Sequence, residues 1–316
     1  MRYIKILIFF LFISFASIAP YSAYLNDIPN YQVKTIDIYQ GESINKVISK
    51  FSSHNFINKI FLKIFLKLEG ISDFKTGEYN IDNMTMKEII YSINRGDTIT
   101  HKLIIREGTN IHEIQDMIDD SFLINDCEYL NCLDGYFPFS EGVLYPDTYF
   151  YKKGMNASTL LRMSNKRLNN FLNETLKDNP INPLLDRNKI LILASIIEKE
   201  AGNNLEKPLI AGVFIKRLSI NMKLQADPTI IYGLLPNFDG DIKKSDILDS
   251  NNKYNTYMIY GLPPTPIAVS SESSILAAVN AEPGDYLFFV ADTPNSHYFS
   301  KDYDEHLRMI KDLGLN

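Results

Sequence analysis

The chain has no tryptophan, only two cysteines, and no concentration of Lys and Arg along its body. Each shortage excludes something. With a net charge of −6 and no basic block, the positive surface that phosphate backbones demand is missing, so nucleic acid is not an expected partner. Cys127 and Cys132 stand as a single C-x4-C pair with no flanking His, which does not make a zinc site. They close a small loop in an oxidising compartment or remain two thiols, and the spacing does not decide between them. No Walker loop, G-x-G-x-x-G, H-E-x-x-H or G-x-S-x-G occurs. Nothing in the sequence requires a metal or a cofactor. After residue 25, charges interrupt every apolar run, so no second membrane span is expected.

What is present is an ordinary globular composition, 45% hydrophobic and 22% charged, in 316 residues, enough for about two domains. Arg2 and Lys5 precede an uncharged run from Ile6 to Leu25, and Asp27 follows it. As a helix, that run would span ~30 Å, the thickness of a bilayer's hydrocarbon core. The charge asymmetry leaves the N-terminus in the cytoplasm and exports the rest. A cleaved signal peptide competes with an uncleaved anchor, since Ser17-Ile18-Ala19 would serve as a small-residue site. Pro20, directly after it, favours the anchor.

Beyond the anchor the pattern predicts α+β structure. Val33, Ile36 and Ile38 alternate in a strand over 33–40, and Ser43 is placed to cap a helix carrying Ile44, Val47, Ile48 and Phe51. Helical spacing recurs over 56–68, with Lys59, Lys63 and Lys67 on one solvated face. A strand follows Lys75-Thr76-Gly77, and a helix runs from Met84 to Asn94. Strand, Glu-Gly turn and helix then recur over 101–118. Residues 121–140 are rich in turns. Helices are expected over 155–177, 187–202 and 205–220, and a last one from Asp304 to Leu313, with a short strand at 286–290. The division read from this is an anchor at 1–25, a small α+β region at 26–120, a connecting segment at 121–140 and a main α+β domain at 141–316.

The chemistry-bearing segment is LILASIIEKEAG, a nearly all-apolar helix ending in Glu198 and Glu200. Two residues of helix turn ~200°, so the two carboxylates point to nearly opposite faces and cannot form a pair by themselves. Either both are solvated charges at a helix end, or one faces a cleft and the other a structural partner. A carboxyl held against apolar walls keeps its proton towards neutral pH, which suits a general acid. Polar loops follow: Gln225-Ala226-Asp227-Pro228-Thr229, read as a turn, then Tyr254-Asn255-Thr256-Tyr257 and Gly261-Leu262-Pro263-Pro264, with Glu141–Tyr149 upstream. Aromatic faces and amides of this kind stack on sugars and bind acetamido groups, though each loop alone is a common structural feature. His297 and His306 bracket a C-terminal turn, as structural histidines or as cleft residues.

Taken together, ASIIEKEAG, IAGVFIKRL, LQADPTIIYG, YNTY, GLPP and HYFS, with EGVLYPDTY, KTGEYNI and IREG before them, resemble the YceG-like endolytic murein transglycosylases in order and spacing. The chain departs from that pattern at Lys216, where the family usually has Asn, at Thr265, and at Ala268-Val269-Ser270-Ser271. The resemblance implies a single-pass inner-membrane anchor, a LysM-like N-terminal region and an extracytoplasmic active site. It implies Glu200 as the catalytic acid, Glu198 as a supporting residue, and Gln225, Asp227, Thr229, Tyr254 and Asn255 along the substrate cleft. It further implies peptidoglycan glycan strands as substrate and peptidoglycan synthases as candidate partners. A lytic transglycosylase needs one carboxyl, whereas a glycoside hydrolase normally needs two. The rivals are a hydrolase using Asp227 or Asp147 as the second carboxylate, and a non-catalytic peptidoglycan-binding protein.

Overall fold

A computed structural model of the chain describes residues 4, 18–28, 33–51, 55–133, 135–179 and 182–315. Most of the apolar run expected to form the anchor lies outside these residues. Among the described residues no helix is long and apolar enough to cross a membrane. Over the described residues the fold is mixed α+β, built from helices and three two-stranded sheets. It divides into two units, Met1–His101 with Tyr151–Gly154, and Lys102–Phe150 with Met155–Asn316. Residues 102–120, which the sequence pattern groups with the N-terminal region, pack within the second unit.

In the first unit the order is β1 (Thr35–Ile38), α1 (Ile44–Phe51), α2 (Phe56–Leu68), β2 (Gly77–Asn80) and α3 (Met86–Arg95). β1 and β2 pair antiparallel, with Ile36 opposite Tyr79. The period-two alternation puts Ile36 and Ile38 in a core with Val47, Phe51, Leu62, Phe65, Ile89 and Ile93. Ser43 accepts a hydrogen bond from Lys46 N at 3.3 Å at the start of α1. Thr85 and Glu88 form a reciprocal capping box on α3. Lys59, Lys63 and Lys67 are exposed along α2, a solvated face.

The second unit contains, apart from the end residues His101 and Tyr151, β3 (His101–Ile105) and β4 (Asp147–Tyr151), together with α4 (Ile111–Asp119), α5 (Ala157–Asp178), α6 (Arg187–Glu200), α7 (Lys207–Ser219), α8 (Asp227–Leu234), α9 (Lys244–Ile247), α10 (Glu272–Val279), β5 (Phe288–Thr293), β6 (Ser296–Ser300) and α11 (Tyr303–Asp312). Its centre is α6, where Ile190 through Ile197 are all buried. A helix apolar on every side has to be surrounded, and α7, α8 and α10 pack against this one. Asp186 caps its start, accepting from Asn188 N and Lys189 N at 2.9 Å. Ser195, mid-helix and fully buried, accepts Ile267 N at 3.0 Å and so ties the segment before α10 to α6.

One local reading changes, and two further elements emerge. Asp-Pro-Thr is the first turn of α8 rather than a free turn: proline lacks the N–H that a helix start leaves unpaired anyway, and its fixed φ suits that position. HYFS is β6, paired antiparallel with β5. Glu272–Val279 is a helix, capped by Ser271, which accepts from Ser274 N. Cys127 and Cys132 are joined by a disulfide within the 121–140 segment.

Phe214 of α7 is completely buried and meets Phe289 of β5 edge to face, with ring centroids 5.9 Å apart. Phe214→Ala is expected to destabilise the protein by about 3–5 kcal/mol, read as a lowered urea midpoint.

Candidate active site

The apolar character of α6 carries its C-terminal turn into the interior, and that turn ends at Glu200. The chain then bends through Gly202. A side chain there would put its first carbon 2.6 Å from the backbone carbon of Asn295, so only glycine allows this approach. Asn203 Nδ2 donates to Asn295 O at 2.7 Å. The residues immediately after Glu200 are thereby fixed to the tip of the β5–β6 hairpin.

Glu198 and Glu200 sit on opposite sides of α6 in different surroundings. Glu198 accepts Ser271 N at 2.9 Å, Ser274 Oγ at 2.6 Å and the Ser271 hydroxyl, and lies 3.2 Å from Lys207 Nζ. Burial would raise its pKa, but the serine hydrogen bonds and the Lys207 charge prevail and hold it below the usual carboxylate range. It is a fixed anion that ties α6 to α7 and α10. It lines a cavity of about 720 Å³ together with Tyr145, Asp147 and Arg167, and Asp147 is ion-paired to Arg167.

Glu200 lines a separate cavity of about 360 Å³, within the ~300–1,000 Å³ range of small-molecule sites and roomy enough for one or two sugar rings. Gln225, Asp227, Arg217, Tyr257, His297 and His306 share it, with Phe288 and Tyr303 supplying aromatic surface. Part of Glu200 reaches the cavity, yet the carboxyl is enclosed closely enough that desolvation, helped by the charge of Asp227 and opposed by Arg217, pushes it up to about 8. It is therefore a protonated acid at neutral pH.

Its neighbours are held firmly. Arg217 donates from Nε to Leu287 O at 2.7 Å and from Nη1 to Leu224 O at 2.6 Å, with its guanidinium 5.2 Å from the Phe288 ring centroid. Burial brings it down to about 10, so it stays charged. Tyr257 donates to Asp227 Oδ1 at 2.7 Å, and burial followed by that bond raises the phenol well above its usual range. Gln225 adopts φ +51°, a left-handed conformation that costs a non-glycine residue on the order of 1 kcal/mol or more. Bonds from Gln225 N to Thr256 O (3.2 Å) and from Ala226 N to Thr256 Oγ1 (2.9 Å) hold it there. His306 stacks on Phe288 at 5.1 Å, and its Nδ1 is buried with no hydrogen-bond partner among the described residues. Burial, then the Arg217 charge, lowers its pKa.

Glu200, Gln225 and Asp227 thus share one cavity. Thr229, Tyr254 and Asn255 do not line it. Thr229 is buried, its hydroxyl 2.6 Å from Ala226 O and 2.9 Å from Thr256 Oγ1. Asn255 Nδ2 donates to the carbonyls of Asp246, Ile247 and Asp249, each at 3.0 Å, and its Oδ1 accepts Tyr257 N at 3.0 Å. Tyr254 packs against Tyr232 and meets Thr265 Oγ1 at 2.9 Å. These three hold the loop that presents Tyr257. Sequence reasoning passed over Arg217, inside the segment IKRL, and named Tyr257 only as part of the YNTY loop without singling it out. Neither an Arg on an amphipathic-looking helix nor one Tyr among nineteen announces itself without the fold.

A second perturbed carboxyl, Glu141, is driven up to about 7 by burial, against hydrogen bonds from Ile111 N, Tyr232 and Gly142 N. It lies outside the Glu200 cavity, and its donors give it a structural role.

Two outcomes follow from these environments. An unfolded Glu200 loses its proton near pH 4.5 and the folded one near 8, so between those values the native state binds more protons and stability falls as pH rises. Glu200→Gln removes that penalty: its melting temperature is expected to match wild type near pH 4 and to exceed it by a margin that grows up to about pH 8. Lys207→Met leaves the Glu198 carboxylate buried without its cation and is expected to cost about 3–5 kcal/mol, measured by denaturant unfolding.

Residues 36–312 match the YceG-like family. An endolytic murein transglycosylase of Bacillus subtilis (strain 168) is 29% identical over 299 residues, covering 86% of this chain and 82% of that protein. One of Streptococcus pneumoniae serotype 2 (strain D39 / NCTC 7466) is 24% identical over 87% of this chain but only 57% of its own length. The crystal structure of a yceG-like protein from Listeria monocytogenes aligns with a TM-score of 0.56 and 29% identity, over 87% of this chain and 98% of that one. With the match running through both units and across the Glu200 cavity, this chain belongs to the YceG-like family.

Proposed function

We propose that this chain is an endolytic peptidoglycan lytic transglycosylase that cuts the β-1,4 bond between MurNAc and GlcNAc and leaves a 1,6-anhydro-MurNAc end. The observation that carries this reading is a single carboxyl, Glu200, held protonated at neutral pH on the wall of a cavity sized for sugar rings. Glu200 gives its proton to the glycosidic oxygen as the C1–O bond of MurNAc breaks, and GlcNAc leaves with a free O4 hydroxyl. The C6 hydroxyl oxygen of the same MurNAc then bonds to C1, and the hydroxyl proton returns to the Glu200 carboxylate. No water is consumed. Closure within one sugar has the advantage of proximity. The features that make Glu200 a neutral acid, desolvation and Asp227, also make its anion a ready base. Gln225 and Asp227 are the substrate-binding residues of this reading, with Arg217 and Tyr257 beside them. Thr229, Tyr254 and Asn255 act through the loop they hold.

The same reading gives residues 1–25 the role of a single-pass inner-membrane anchor and 26–120 that of a LysM-like region. Residues 121–140 are a connection and 141–316 the catalytic domain, facing outward to act on nascent glycan strands beside the peptidoglycan synthases. The uncharged run Ile6–Leu25 and the charges on either side of it support this placement.

One observation favours a second reading: Asp227 shares the cavity with Glu200, as the second carboxylate of a hydrolase would. Asp147 does not compete for that role, because it lies in the other cavity, paired to Arg167. The mass of the product separates the two chemistries, since hydrolysis adds a water and the lyase reaction does not. Anhydro ends are expected from purified glycan strands, and Glu200→Gln is expected to lower their formation by about 10²–10⁴-fold. Normal turnover by that variant would end the assignment.

A further inference from the structure

His297 is not used by the mechanism above, yet it lines the Glu200 cavity from the β5–β6 hairpin. Its imidazole is fixed in an unusual degree of detail. Nδ1 lies 2.9 Å from Glu206 Oε2, and the backbone N of the same residue donates to Glu206 Oε1 at 2.7 Å. One carboxylate therefore grips both the ring and the main chain of one histidine. Both side chains are nearly enclosed, His297 at 13% and Glu206 at 10% exposure. Glu206 is itself held where α7 begins, its N–H bonded to Asn203 Oδ1 at 3.3 Å. Asn203 also grips Asn295 two residues before His297, immediately beyond the turn that follows Glu200. The acid and the histidine are thus positioned by one short, interlocked stretch of chain.

A carboxylate accepting at Nδ1 places the imidazole proton there, so in the neutral ring Nε2 is an acceptor with a lone pair. The Phe289 ring packs edge to face against the imidazole at 5.4 Å and further fixes its plane. This is the arrangement in which a carboxylate orients a histidine and steadies its charged form during proton transfer.

We infer that His297 is a second catalytic residue of the transglycosylase reaction, with Glu206 as its positioning residue. Nε2 accepts the hydrogen bond of the MurNAc C6 hydroxyl and aims its oxygen at C1. As the O6–C1 bond forms, the hydroxyl proton passes to Nε2, giving an imidazolium beside the Glu206 carboxylate. The imidazolium then returns that proton to the Glu200 carboxylate left by the first half of the reaction. Charge and protons balance: Glu200 loses one and regains one, His297 gains and loses one, and the sugar closes its ring. This role for His297 rests on the lytic transglycosylase reading and makes the retrieval of the proton a two-residue relay.

The test is product analysis on undecorated glycan strands with wild type, His297→Asn and Glu206→Gln. Asparagine keeps an N–H for Glu206 but offers no base. His297→Asn is expected to reduce the rate of anhydro-end formation by about 10²-fold, with an unchanged melting temperature and a larger share of hydrolysed ends, because water competes once O6 is no longer aimed. Glu206→Gln is expected to shift the product ratio the same way by a smaller factor. An unchanged rate and ratio in His297→Asn would overturn the inference, as would a fall in both products together with a lowered melting temperature. If His297→Asn does not fold, the ratio in Glu206→Gln decides. Wild type that makes no anhydro ends would refute the underlying reading instead, which keeps the two failures apart.

Discussion

The site depends on keeping water away from one carboxyl. Glu200 terminates a helix whose residues Ile190 to Ile197 are all buried, and the enclosure at its end raises the cost of the Glu200 charge. Desolvation is the largest influence on that group, Asp227 adds to it, and Arg217 only partly offsets it. The acid is therefore made chiefly by burial. This suits a group that must give a proton to a leaving oxygen and later hold one again.

The other face of the same helical turn solves the opposite problem. Glu198 is given serine donors and a lysine, so its charge is welcome and it never acts as an acid in the neutral range. Its bonds to Ser271 and Ser274 and its pairing with Lys207 tie α6 to α10 and α7, which stiffens the turn that Glu200 occupies. Two glutamates of one triplet thus differ in role because their environments differ, with about half a helical turn between them. The Gly202–Asn295 approach fixes the next stretch of chain in the same way.

Much of this was legible in the sequence, for physical reasons. The opposed directions of Glu198 and Glu200 follow from helical geometry alone. The long helices, the caps at Ser43 and the strand alternation at Ile36 and Ile38 are local features, and local patterns report them. What escaped was non-local. Asp-Pro reads equally as a turn or a helix start, and only the packing of α8 decides. HYFS becomes a strand because Phe288–Thr293 lies beside it. Asn255 and Thr229 look like ligands for a sugar, being small and polar in a polar-rich segment, but their groups are consumed by backbone carbonyls and by Thr256. Arg217 earns its place through contacts with residues seven and seventy positions away, which no window of sequence can show.

The central claim is that Glu200 carries its proton at neutral pH. The most direct measurement is a carbon-13 NMR titration of the glutamate side-chain carboxyls in the folded protein, with Glu200→Gln used to assign the missing resonance. A midpoint near 8 is the predicted result. A midpoint in the ordinary glutamate range, about 4.3, would mean the group is a solvated anion and would contradict the account.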